Sequence, residues 1–168
     1  MLPLTTMTAA GSESESNVWL TAVYAGGITA LVALATALLF RAEIPLLYIP
    51  AFLLIGAGPV LGFDLAKSQL GADWKPLIGG ILGFVLLILG FILWPILVGA
   101  MSKTQSIGKL LVASIIGIVL GVVAFLILGS IIGQDPIWVV AGFTLLWAVW
   151  GAVCAGAMDA WGNDVAET

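Results

Sequence analysis

Between Lys75 and Lys103 the chain carries no charged residue, and within that interval "LIGGILGFVLLILGFILW" offers no polar side chain except the indole of its last residue. Four other segments are also uncharged: Val18 to Phe40, Ile44 to Phe63, Leu110 to Gly133 and Ile137 to Met158. Each reaches the roughly 20 residues that a helix needs to cross the hydrocarbon of a bilayer. Together they leave little of the chain to face water. Only 8% of its residues are charged, against about 25% in a globular domain, and the mean hydropathy is +1.23. A soluble domain of 168 residues cannot hide so much apolar surface. A disulfide-stapled secreted domain is excluded because Cys154 is the sole cysteine.

Helices are the expected elements, since backbone groups in hydrocarbon must be paired within the segment and barrel strands would alternate apolar with polar residues. The fold class read from the sequence is therefore an all-α integral membrane protein. Its expected core is a five-helix transmembrane bundle over 18–40, 44–63, 76–101, 110–133 and 137–158. Two short-loop hairpins, joined by "RAE" and "QDP", flank a long central helix. The second helix carries Pro45, Pro50 and Pro59, so it is expected to be kinked or partly re-entrant. Residues 1–17 read as a disordered acidic tail that Ser16 or Asn17 ends by capping the first helix, and 159–168 as a second short acidic tail. The N-terminus lacks the basic stretch of a secretory signal, so the first span is expected to be retained.

Orientation follows lysine and arginine in the short connections. Counted over five spans, Arg41, Lys103 and Lys109 fall on one side and Lys67 and Lys75 on the other. This narrow difference favours an N-terminus outside and a C-terminus inside.

Glycine costs about 1 kcal/mol against alanine in an exposed helix, yet the third segment holds five. In lipid, helices gain little by hiding apolar surface from one another, so close backbone packing through small residues must hold them. At 100° per residue, Gly79, Gly83 and Gly90 share one face of the third helix, and Gly117 and Gly121 share one of the fourth. Gly26 in the first helix, Gly58 and Gly62 in the second, and Ala148 and Ala152 in the fifth complete the expected packing set. Opposite the last stripe stand Phe143, Trp147, Trp150 and Cys154; the three aromatics read as a face turned outward to lipid or a partner, and Cys154 as a small buried hydrophobe. Trp19, Trp74, Trp94, Trp138 and Trp161 lie near expected helix ends and read as an interfacial aromatic belt.

Chemistry is sparse. Without histidine there is no imidazole base and no histidine-ligated haem or metal, and one cysteine makes no metal cluster. No cofactor is expected and no catalytic residue stands out. No charge lies deep in a span, which argues against ion-coupled transport; Asp64 and Asp159 read as solvated helix-end groups. Five scattered cations make no nucleic-acid patch. Lys103 and Lys109, in "SKTQSIGK", are candidate contacts for lipid headgroups. Aligning Pro45 with Pro136 also aligns Gly26 with Gly117, Phe52 with Phe143 and Ala57 with Ala148. These identities use abundant residue types and chance is the preferred reading; a true repeat would relate two inverted units.

The expected partners are membrane lipids and other membrane subunits or further copies of the chain. The expected role is non-catalytic, as an accessory or structural subunit of a membrane complex or an envelope component. The alternative is a channel or facilitator for a neutral or apolar solute.

Overall fold

The computed structural model describes residues 17–70, 73–86, 89–132 and 136–162. The expected N-terminal tail, apart from Asn17, lies outside the described residues, as do 163–168 and most of the "QDP" connection. Among the described residues are seven α-helices: α1 Val18–Arg41, α2 Tyr48–Ile55, α3 Gly58–Ala66, α4 Lys75–Gly83, α5 Gly90–Met101, α6 Ile107–Ile132 and α7 Pro136–Trp161. The chain is an all-helical protein in which α1, α6 and α7 are long and apolar enough to cross a membrane.

Local chemistry sets several of the boundaries. Asn17 caps α1 through a 3.2 Å hydrogen bond from the Leu20 amide to its side-chain oxygen. Pro45 opens a 3-10 turn, Pro45–Leu47, that leads into α2. Pro59 and Pro76 stand in the first turns of α3 and α4, where their missing N–H costs nothing. The Asp73 carboxylate accepts from the Lys75 amide at 3.1 Å ahead of α4. Proline also explains the break between α2 and α3, because Pro59 withholds the donor that the Ile55 carbonyl would meet in a continuous helix. The pair bends by 43° there and together is apolar and long enough for a broken span or a re-entrant loop. The kink expected in the second segment is thus located at Gly56 and Ala57.

The third segment departs from expectation. It is not one long helix but two short ones, α4 and α5, folded against each other. A Cβ added at Gly83 would lie 2.5 Å from Trp94 Cα, and one at Gly79 would lie 3.1 Å from Met101 Sδ. Contacts that pair 83 with 94 and 79 with 101 are those of an antiparallel hairpin. Gly80 at the same time meets the Gly56 backbone, so the hairpin reaches the break in the α2–α3 span. Its physical cause lies in glycine. Only a residue without a side chain permits α4 to sit this close to α5 and to the broken helix at once.

The central position belongs to α7, which packs along α1 on one side and α6 on the other and also touches α3. Thr21, near the start of α1, bonds Asp159, near the end of α7, so these two helices are antiparallel and their outer ends coincide. Both ends of the hairpin, at Pro76 and Lys103, lie beside Asp64 and Met158, so a bundle of five continuous spans is not confirmed. Because α1 and α6 also start at the same end of the bundle, the two units of the faint repeat run in the same direction, not inverted.

Candidate functional site

Two places in the bundle gather polar chemistry, one at its centre and one at the end where α1 begins.

At the centre, the breaks in the chain leave backbone carbonyls without their helical donors, and side chains from other elements supply replacements. Trp94 of α5 donates its indole N–H to the Gly56 carbonyl at 2.7 Å, at the break between α2 and α3. Pro95 removes the amide that the Phe91 carbonyl would receive within α5. The Ser114 hydroxyl of α6 donates to that carbonyl instead, at 2.5 Å. Ser114 in turn accepts from the Trp150 indole of α7 at 3.0 Å. In hydrocarbon such pairing is obligatory, since an unpaired polar group there costs several kcal/mol.

Around these bonds the rings pack edge to face. Phe84 stands 5.3 Å from Trp147 and 5.2 Å from Trp150, and Trp94 stands 5.2 Å from Trp150, all in T-shaped arrangements. These separations fall within the favoured range for aromatic pairs. Trp94, Trp150, Phe84 and Cys154 are completely buried and Trp147 nearly so. Two expectations are therefore corrected. The Trp147 and Trp150 face does not turn outward; it is the core, because α4 and α5 fold onto it. Phe143, one turn earlier, is half-buried and tilts against Phe52. Trp94 is likewise no belt residue, since the hairpin carries it inward, whereas Trp19 is 83% exposed. Trp147 differs from the other two core indoles: its buried N–H has no hydrogen-bond partner.

Each glycine of the expected packing set faces another element. Gly26 meets Ala148 and Ala152 across the α1–α7 contact, with an added Cβ 3.2 Å from the Ala148 oxygen and from the Ala152 Cβ. Gly58 meets Thr29 and Gly62 meets Ala25, both on α1. Gly79 and Gly83 face α5, while Gly90 lies against the Phe84 ring. Gly117 meets Trp150, and Gly121 meets the Leu146 carbonyl, both on α7. The hydroxyls Thr29, Thr36 and Thr144 bond carbonyls of their own helices, at 2.7, 2.8 and 2.8 Å.

At the end of the bundle, Lys67 and Asp159 form an ion pair, and the Thr21 hydroxyl donates to the same carboxylate at 2.7 Å. Asp159 is only 3% exposed. It is therefore not a solvated helix-end group. α7 continues through it to Trp161, and α1 and the end of α3 close over it. Neither partner signals this in the sequence, because 92 positions separate Lys67 from Asp159 and only the fold unites them. Beside the pair lies a polar pocket of about 250 Å³. Asp64, Gln69, Asp73, Lys103 and Gln105 line it, with Val60, Phe63 and Met158 as apolar walls. Asp64 thus faces a recess shared with a second carboxylate, and Gln105 is anchored by donating to the Met158 carbonyl at 3.2 Å. Lys103 belongs to this pocket, whereas Lys109 stands in the first turn of α6. Among the described residues no group of three acidic, histidine or cysteine side chains is placed to hold a metal ion.

No protein-family model matches the chain, and no curated protein or solved structure matches it either.

Proposed function

We propose that this protein is a non-catalytic, multi-pass membrane subunit that works by assembly, with other membrane proteins or with further copies of itself. In this reading α1, the broken α2–α3 span, α6 and α7 make four crossings, and α4–α5 is a re-entrant hairpin entering from one side. The observation that carries it is the sealed centre. Where the broken span and the hairpin meet, the space is filled by Trp94, Phe84, Trp147 and Trp150, and the Gly56 and Phe91 carbonyls are paired internally. Non-helical backbone at membrane depth normally lines a cavity or is buried in protein; at the Gly56–Ala57 break it is buried. Close approaches at Gly83, Gly117 and Gly121 support small-residue packing as the source of rigidity.

Four crossings also change the charge count. Lys67, Lys75, Lys103 and Lys109 then share one side and Arg41 stands alone on the other. A ratio of four to one is a clear positive-inside bias. We therefore assign both ends of the described chain to the cytoplasmic side, in place of the opposite-sided termini expected from five spans.

The facilitator remains a second reading because broken helices and hairpins that meet mid-bundle recur in transporters. Solute flux in proteoliposomes separates the two. The assembly reading predicts no flux above empty vesicles for water or small neutral solutes. It also predicts a mass above the monomer after extraction in mild detergent. Flux with a strictly monomeric mass would reverse the preference.

A further inference from the structure

We propose that the groove between the end of α1 and the start of α7 binds a monoanionic phospholipid, its phosphate held by Arg41 and one acyl chain on the groove floor. The groove encloses about 370 Å³, within the range of small-molecule sites. Ala37, Phe40, Val139, Val140 and Phe143 give it hydrocarbon walls, and Arg41 supplies a guanidinium at its rim. An apolar trough lined by a single cation is the complement of an anionic amphiphile.

Comparison within the molecule sharpens the assignment. Among the described residues, an apolar groove walled by Leu31, Leu39 and Leu54 and another walled by Trp19, Ala152 and Trp161 are lined by no charged residue. Arg41 is exposed, and among the described residues it forms no ion pair. Its planar fork of donors suits two phosphate oxygens at once, and it keeps its charge at any physiological pH. As the cation closest to this groove in the fold, it also stands at the opposite end of the bundle from the Lys67–Asp159 pair. Glu43, two residues along the same connection, opposes a second negative charge. A phosphodiester headgroup with one net charge therefore fits better than a phosphomonoester.

The test is native mass spectrometry of the full chain in detergent, titrated with phosphatidylglycerol and phosphatidylcholine of equal chain length. Phosphatidylglycerol is expected to bind more tightly, and Arg41→Gln to weaken it about tenfold while leaving phosphatidylcholine unchanged, as for loss of one charge-assisted contact. Val140→Trp, which fills the floor, is expected to weaken both lipids. Lys75→Gln, at the other end, is expected to change neither. Equal phosphatidylglycerol affinity in wild type and Arg41→Gln overturns the proposal, and so does an equal loss in Lys75→Gln. Neither result bears on assembly, which is read from the protein mass in the same spectra.

Discussion

Replacing tryptophan by phenylalanine at positions 94, 150 and 147 makes the same chemical change at three buried, neighbouring sites that differ in what the indole N–H does. Phenylalanine is roughly 40 Å³ smaller, and at about 24 cal/mol per Å³ the unfilled space costs about 1 kcal/mol at each site. The hydrogen-bond contribution then separates them. Trp94→Phe strands the Gly56 carbonyl, now bonded at 2.7 Å, and a buried acceptor without a partner costs a further ~1–3 kcal/mol. Trp150→Phe removes a donor from Ser114, whose own hydroxyl still reaches the Phe91 carbonyl, so the added cost is about 1 kcal/mol or less. Trp147→Phe deletes an N–H that has no partner, and relief of that burial offsets the lost volume. The expected order of destabilisation is therefore Trp94, then Trp150, then Trp147, with the last near zero. Reversible unfolding in mixed micelles, followed by tryptophan fluorescence and circular dichroism, measures it. A Trp147→Phe cost equal to that of Trp94→Phe would refute the reasoning, since volume alone would then govern all three.

Other expectations follow from single contacts. Gly83→Ala should lower the detergent melting temperature, because its Cβ would crowd the Trp94 backbone, whereas Gly27→Ala, with nothing within 4 Å, should leave it unchanged or raise it. Lys67→Met should cost about 3–5 kcal/mol by leaving Asp159 charged, buried and unpaired. The double variant Lys67→Met, Asp159→Leu should recover most of that loss in the same unfolding assay; failure to recover would mean that Thr21 or the helix end, not the ion pair, sets the cost. Ser114→Ala combined with Trp150→Phe should cost less than the two separately, because both act on one hydrogen bond, and a double-mutant cycle reads the difference.

The class of the protein and the long helices α1, α6 and α7 were legible in the sequence because hydrocarbon imposes length and apolarity so strictly. The break in the second segment was legible for a similar reason: Pro59 withholds a donor that a continuous helix needs, whereas Pro50 falls in the first turn of α2. The hairpin was not. Its turn lies inside a run as apolar as the helices it joins: Val85, Leu86 and Leu89 are exposed apolar residues, which lipid, unlike water, does not penalise. Two hints were present in the glycines at 79, 80 and 83 and in Pro95, all within one supposed span. The direction of the Trp147 face was hidden by a related degeneracy. In water, a helix shows its buried side by contrast with a polar one; in lipid, both sides of α7 are apolar. Ala148 and Ala152 of the small-residue stripe lie against Gly26 of α1, and nothing in the pattern marked the second contact opposite. The Lys67–Asp159 pair was invisible because it depends on the register of helices far apart in sequence.

The central claim is that α4 and α5 enter and leave the membrane on one side, and cysteine accessibility tests it most directly. In a Cys154→Ala background, single cysteines replace Lys75, just before the hairpin, and Lys103, just after it. A third, replacing Glu43, marks the opposite end of the bundle. An impermeant maleimide is applied to sealed vesicles of right-side-out and inverted orientation. The account predicts that positions 75 and 103 are labelled together in inverted vesicles, and position 43 in right-side-out ones. Labelling of 75 and 103 from opposite sides would contradict it and restore a continuous span through the third segment.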